Sequence, residues 1–501
     1  MTKVEKLLSS LKNFELYLNN KIIYDYKIYK GEIADIREAY INNNIQYFVN
    51  FWNCKNKNKH FEMQHPLLNH IITRAIFSVQ FGAANFILML DENNQYPWII
   101  GQCQSLVDSI IVDDKLYVIS TVMQVDLFKQ IHRLSEISTS SLKYKDINFG
   151  YLLSQNRPFH HFYDQLRYFY YMDKPKKIFD NKSFFIPNHA LKTSEDLVYF
   201  FPSGICANQV SSRVSYAKKT FLSDVLDDNL EKNLLLDSLA SRQHVDDVHY
   251  DLNLWFTICS EKRFWLDQIN GYVRIIFELI KYYNSIRIFF DGITAKENER
   301  VNYINDDNIY EEICSKLNSE PVKGKKIKPV SLVGLDYKTK IYYGANVDYF
   351  ISVSGSSLMV PHDICKKKGV IIGNSVTYNL NPSQTSILLN PEEIYDLLIP
   401  KATFFKSFHI SWEYIYNLLI TIINNKEMRK IDCPAIESVV LRWFAQSIAS
   451  IDKNNSPEDI FLHLIDICEK SNFIDVAYTL LEQNITLLID KKNKYVKKLE
   501  E

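Results

Sequence analysis

Between residues 254 and 373 short apolar runs alternate with stretches of helical spacing, and no other feature limits the folds open to this chain so tightly. The runs are LWFTI (254–258), IRIFF (286–290), PVSLVG (329–334), DYFISV (348–353) and GVIIG (369–373), separated by helix-like segments at 264–283, 307–317, 336–345 and 357–367. Strands that are apolar throughout belong to sheets covered on both faces, so the pattern predicts βαβ units around a parallel sheet. Upstream the signal is weaker but similar: FILML (86–90), WII (98–100), LYVIS (116–120), FFIP (184–187) and LVYFFP (197–202), with helical segments at 159–172 and 212–250.

The expected architecture is α/β, with two Rossmann-like domains facing a cleft. At 501 residues the chain exceeds what one hydrophobic core accommodates. The expected boundaries are an N-terminal extension over 1–60, ending in the Lys/Asn-rich stretch Asn53 to His60, then a Rossmann-like domain over 61–245, a second over 246–400 and a helical segment over 401–501. Within that last segment SPED (456–459) resembles a capping box.

Bulk properties exclude several classes. Lys and Arg number 58 against 59 Asp and Glu, which leaves no basic excess for a nucleic-acid backbone. The eight cysteines form no C-x-x-C pair, so reduced thiols are expected rather than a zinc site or redox dithiol. The N-terminus has no signal-peptide h-region and no apolar run reaches about 20 residues. A cytoplasmic protein is therefore expected, with peripheral membrane contact left open.

In a doubly wound sheet, ligands sit beyond the carboxyl ends of the strands. Ser354-Gly355-Ser356-Ser357 follows one strand; glycine admits close backbone approach, and hydroxyls and free N–H groups can hold a diphosphate. The plain alternative is an N-capped helix. After LWFTI come Cys259, Ser260, Glu261, Lys262 and Arg263, then Gln268; Arg263 can pair bidentately with phosphate and Lys262 can act as a point charge, or both are solvated. Asp291 and Gly292 follow IRIFF, with Thr294, Lys296 and Glu297 beyond, and a simple turn is the alternative there. In RPFHHFYDQLRYFYYM (157–172), His160 and Asp164 are i, i+4 neighbours, an arrangement that orients an imidazole as a general base; His161 points about 100° away. A structural His–Asp pair is the alternative. His244 and His249, with Asp246 and Asp247, have no ligand geometry, and the acidic pairs at 227–228 and 306–307 read as loop or helix-start charges. No D-x-D triplet, P-loop, G-x-G-x-x-G, H-E-x-x-H or G-x-S-x-G is present.

FHHFYDQLRYFYYM resembles the His-rich helix of family 61 glycosyltransferases, and VSLVGLDYKTKIYYGANVDYFISVSGSSLMVPH is similar to that family's C-terminal block. The likeness covers residues 160–373 in outline and two short blocks in detail. LWFTICSEKRFWLDQINGY followed by IFFDG is similar to bacterial polysaccharide glycosyltransferases. The chain departs from the family at Ser354-Gly355-Ser356-Ser357-Leu358, where members carry His-Gly-Ala-Gly-Leu. The resemblance implies the GT-B architecture, a nucleotide-sugar bound by the C-terminal half, and metal-independent inverting transfer to a glycan acceptor. His160, His161 and Asp164 are then the catalytic candidates, and Arg263, Lys262, Gln268, Asp291, Ser354, Gly355, Ser356 and Ser357 the donor-binding ones. A protein acceptor, an epimerase on the same fold, and a non-catalytic carbohydrate-binding or assembly protein stay open.

Overall fold

A computed structural model describes residues 1–42, 44–103, 105–120, 129–172, 177–179, 183–193, 198–204, 230–241, 248–320, 322–377, 386–396, 406–436 and 439. The fold is mixed α/β and divides into two compact units, Met1–Asp237 with Lys296–Asn298, and Ser238–Ala295 with Glu299–Glu501.

In the first unit the apolar runs form β3 (Ile72–Phe81), β4 (Ala84–Leu90), β5 (Trp98–Gln102), β6 (Ser109–Val112) and β7 (Lys115–Val118), with β1 (Ile22–Ile23) and β2 (Glu62–Gln64) at the edges. The sheet runs β1-β7-β6-β5-β4-β3-β2, and only the β1–β7 pair is parallel. This corrects the expected Rossmann-like sheet over 61–245. Connections such as Gly82-Ala83 and Asp113-Asp114 are too short for a crossover, and hairpins follow. Helices α1 (Lys3–Ser10) and α2 (Phe14–Asn19) do not stand apart as an extension. Val4, Leu7, Leu8 and Phe14 share one core with Phe86, Leu88 and Ile99.

A second, four-stranded sheet consists of β8 (Phe149–Tyr151), β9 (Lys177–Phe179), β10 (Leu191–Thr193) and β11 (Val198–Phe200), in parallel order β10-β9-β8-β11. FFIP is loop rather than strand. Helices α3 (Glu32–Ile41) and α4 (Ile45–Asn56) belong to the same unit. Trp52 of α4 anchors an aromatic pile with Phe61, Tyr151 and Phe200, and its indole N–H donates to the Ser203 carbonyl at 2.9 Å. Two further helices, α5 over residues 158–170 and α6 (Leu230–Ala240), follow in the chain.

The second unit follows the predicted rhythm closely. Strands β12 (Leu252–Thr257), β13 (Ser285–Asp291), β14 (Lys326–Ser331), β15 (Tyr349–Val353), β16 (Lys368–Ile372) and β17 (Ser386–Leu388) form one sheet in the order β14-β13-β12-β15-β16-β17, every pair parallel. Helices α7 (Gln268–Leu279), α8 (Ile304–Ser319), α9 (Tyr337–Gly344) and α10 (Trp412–Ile423) belong to this unit. Ile276 and Leu279 of α7 join Ile415 and Leu419 of α10 in a core with Phe256, Ile288 and Ile351. The SPED segment, His244, Asp246, Asp247 and the acidic pair at 227–228 lie outside the described residues. No helix among the described residues is long and apolar enough to cross a membrane.

Candidate functional site

Chain order decides where a crevice opens in the second unit. After β12 the chain builds outward through β13 and β14, then returns to lay β15, β16 and β17 on the other side of β12. Connections diverge between β12 and β15, and a parallel sheet leaves its ligand crevice at that switch point, beyond the carboxyl ends. Thr257 and Ser352, near the ends of those strands, share a buried hydrogen bond of 2.8 Å.

Beyond β15, the Ser354 N–H donates to the Ile372 carbonyl at 2.7 Å, tying the loop to β16. The Ser354 hydroxyl is buried and has no partner among the described residues. Gly355 has φ 122°, a conformation L side chains rarely adopt, and a Cβ there would stand 3.3 Å from Nη2 of Arg263. The guanidinium therefore lies against the Gly355 backbone, bringing together two residues the sequence had placed in separate motifs. Ser356 is exposed and Ser357 half-buried. They enter a 3₁₀ turn, Ser356–Leu358, then a π turn, Met359–Ile364, instead of the expected α-helix. Pro361 explains the wider turn, because it lacks an N–H and its ring crowds the carbonyl four residues back.

The loop presenting Arg263 is clamped. Gln268 accepts from the Cys259 N–H (3.0 Å) and donates to the Cys259 carbonyl (2.8 Å). Both ends of this expected donor-binding amide thus serve the loop. Trp265 is buried beneath α7, where a Cβ on Gly271 would fall 2.0 Å from the indole; its N–H donates to the Ile410 carbonyl. Arg263 itself has φ 55°, and Lys262 is exposed.

Asp291 was expected to contact the donor, but its carboxylate meets the fully buried Lys340 ammonium at 2.6 Å. Lys340 also donates to the Gly292 and Ile293 carbonyls and to Thr294. Burial pushes the Asp291 carboxyl up and the Lys340 ammonium down, and their mutual attraction opposes both shifts. Asp306, read from sequence as a helix-start charge, accepts from Ser260 Oγ (2.6 Å) and the Ile293 N–H (2.9 Å), joining the loops after β12 and β13. Sequence reasoning missed both roles. A lone Lys or Asp in a helix gives no sign that it points inward, although Asp306 does sit in the first turn of α8.

In the first unit, α5 has α-helical ends, Pro158–His160 and Arg167–Tyr170, flanking a π turn, His161–Leu166. His160 Nδ1 and Asp164 Oδ2 lie 2.6 Å apart, both buried. His161 is fully buried, with Nε2 3.1 Å from the Phe185 carbonyl. Burial, with a smaller contribution from Lys296, pushes its pKa down to about 3, so the ring is neutral and Nε2–H donates. Lys296 lies over the Phe184 ring at 3.5 Å, and Glu297 accepts from the Ile186 N–H, so both, although they follow Asp291 in the chain, belong to the first unit. Tyr163 and Tyr170 of α5 donate to Glu231 and Asp237 of α6.

Among the described residues no group of three or more His, Cys, Asp or Glu side chains is placed to hold a metal ion. No family model and no curated protein matches the chain.

Proposed function

We propose that this chain is a glycosyltransferase that takes its sugar from a nucleotide-sugar held by the parallel-sheet unit, the donor half of a GT-B-type enzyme. One observation carries the reading: the Arg263 guanidinium lies against Gly355 at the switch point of a six-stranded parallel sheet. In this reading the guanidinium pairs with the departing diphosphate. The Ser354 hydroxyl and the loop's backbone amides add hydrogen bonds where charge develops, and the side-chain-free Gly355 lets the anion approach. That cationic cradle performs the neutralisation a metal supplies elsewhere, and transfer inverts the anomeric centre.

His160 serves as the base. Asp164, 2.6 Å from its Nδ1, orients the ring and stabilises the imidazolium that forms as the ring takes the proton of a glycan hydroxyl. His161 is the weaker candidate, because its Nε2 is committed to Phe185.

The test is a thermal-shift screen of the full chain with UDP-, GDP-, CMP- and dTDP-linked sugars. A bound donor at 100 times its dissociation constant stabilises by about 2.7 kcal/mol, and Arg263→Ala should cut the shift to about 0.4–1.4 kcal/mol. No shift with any nucleotide-sugar, or an undiminished shift in the variant, overturns the reading.

A further inference from the structure

In the first unit, β11 lies against β3 and β4 and is held there through the backbone of one residue. The Tyr199 N–H donates to Ser78 Oγ at 2.7 Å, and the Tyr199 carbonyl accepts from Asn85 Nδ2 at 2.8 Å. Beside this junction is an open cleft of about 320 Å³, lined by Ser78, Gln80, Asn85, Leu152, Phe179 and Tyr199 among others. Its aromatic members, Phe179 and Tyr199, are half-buried, with ring centroids 4.6 Å apart and planes tilted by 43°. Asn85 is 1% exposed. Its Nδ2 meets two acceptors, Gln102 Oε1 and the Tyr199 carbonyl, which fixes the orientation of the amide. Its Oδ1 has no partner among the described residues.

We infer that this cleft binds a sugar ring. The volume falls at the lower end of the range typical of small-molecule sites, about 300–1,000 Å³. Aromatic faces suit the C–H face of a pyranose, whereas its hydroxyls need amide and hydroxyl partners at the edge. The Gln80 amide, whose Nε2 donates to the Gly82 carbonyl, offers its Oε1 as an acceptor, and Ser78, already accepting from Tyr199, has its own proton to donate. No charged side chain is among the described residues lining the cleft, so a phosphate or carboxylate ligand would find no counter-charge there. The inference stands apart from the donor site, since every residue it uses belongs to the other unit.

The test is saturation-transfer NMR and calorimetry on the full chain with glucose, N-acetylglucosamine and xylose. At least one sugar should bind, and Tyr199→Ala and Phe179→Leu should each weaken it about tenfold or more while the thermal melt stays cooperative. Absence of binding for all three sugars, or unchanged affinity in both variants, overturns the inference. UDP-sugar shifts recorded on the same samples report on the donor site separately: sugar binding that persists without any nucleotide shift supports the cleft and sinks only the donor reading.

Discussion

The two units solve the problem of placing polar groups in opposite ways. In the six-stranded sheet of the second unit every strand points the same way, so the loops that follow β12, β13 and β15 share one edge; Ser260, Arg263, Ser354 and Gly355 come from those loops, and Asp291 is the last residue of β13. In the antiparallel sheet of the first unit hairpins return the chain at alternate edges, and no single edge collects the loops. The polar cluster of that unit is built instead on one helix, α5, whose π turn holds His160 and Asp164 together. Topology locates a site in the first case; in the second only side-chain packing does.

The contrast can be broken most severely at Lys340. Lys340→Ala strands the Asp291 carboxylate without its cation in the interior, and loss of one partner of a buried pair costs about 3–5 kcal/mol. Urea denaturation should show that loss in the parallel-sheet unit; a change under about 1 kcal/mol would mean that the pair does not hold the carboxyl-end loops. His160→Gln should lower transfer by about 10²–10⁴ while nucleotide-induced thermal shifts persist, which would separate the chemistry of one unit from the binding of the other. Equal loss of both functions would show that they are not divided in this way. Arg263→Ala should weaken nucleotide-sugar binding by about 10- to 100-fold, the value of a hydrogen bond to a charged group, without altering the urea midpoint.

The smallest effect concerns acid. The buried His161 binds its proton only near pH 3, whereas an unfolded histidine does so near 6.5. The unfolded chain therefore gains protons that the folded unit refuses, so this contribution is complete above about pH 6.5 and is lost progressively as pH falls towards 3. Between about pH 7 and 5.5 the loss is about 1 kcal/mol. His161→Gln, which keeps a donor for Phe185, should flatten that slope. His409, also buried and held down to about 3, should leave a similar slope in the other unit.

The same contrast governs what could be read without coordinates. LWFTI, IRIFF and DYFISV are apolar at nearly every position because helices cover both sheet faces, so their type and mutual orientation could be inferred. FILML and WII look alike as strings, yet they pair antiparallel, because the intervening turns are too short to carry a crossover. The i, i+4 spacing of His160 and Asp164 was legible because a helix face repeats locally, and the pair survives the widening of the π turn. The second-unit loops were legible as loops. That Asp291 faces Lys340 while Arg263 faces Gly355 was not, since neither pair is local in sequence.

Residue order alone determined the rhythm of strand and helix, the glycine and serine after DYFISV, and the absence of a basic excess. Tertiary structure alone decided that Arg263 meets Gly355, that Gln268 and Asp306 hold loops, and that Phe179 and Tyr199 frame a cleft with Asn85. The physical reason is range. Periodicity and turn chemistry act over a few residues and are written in neighbours, whereas burial and charge pairing depend on which distant segments the fold brings within a few ångströms.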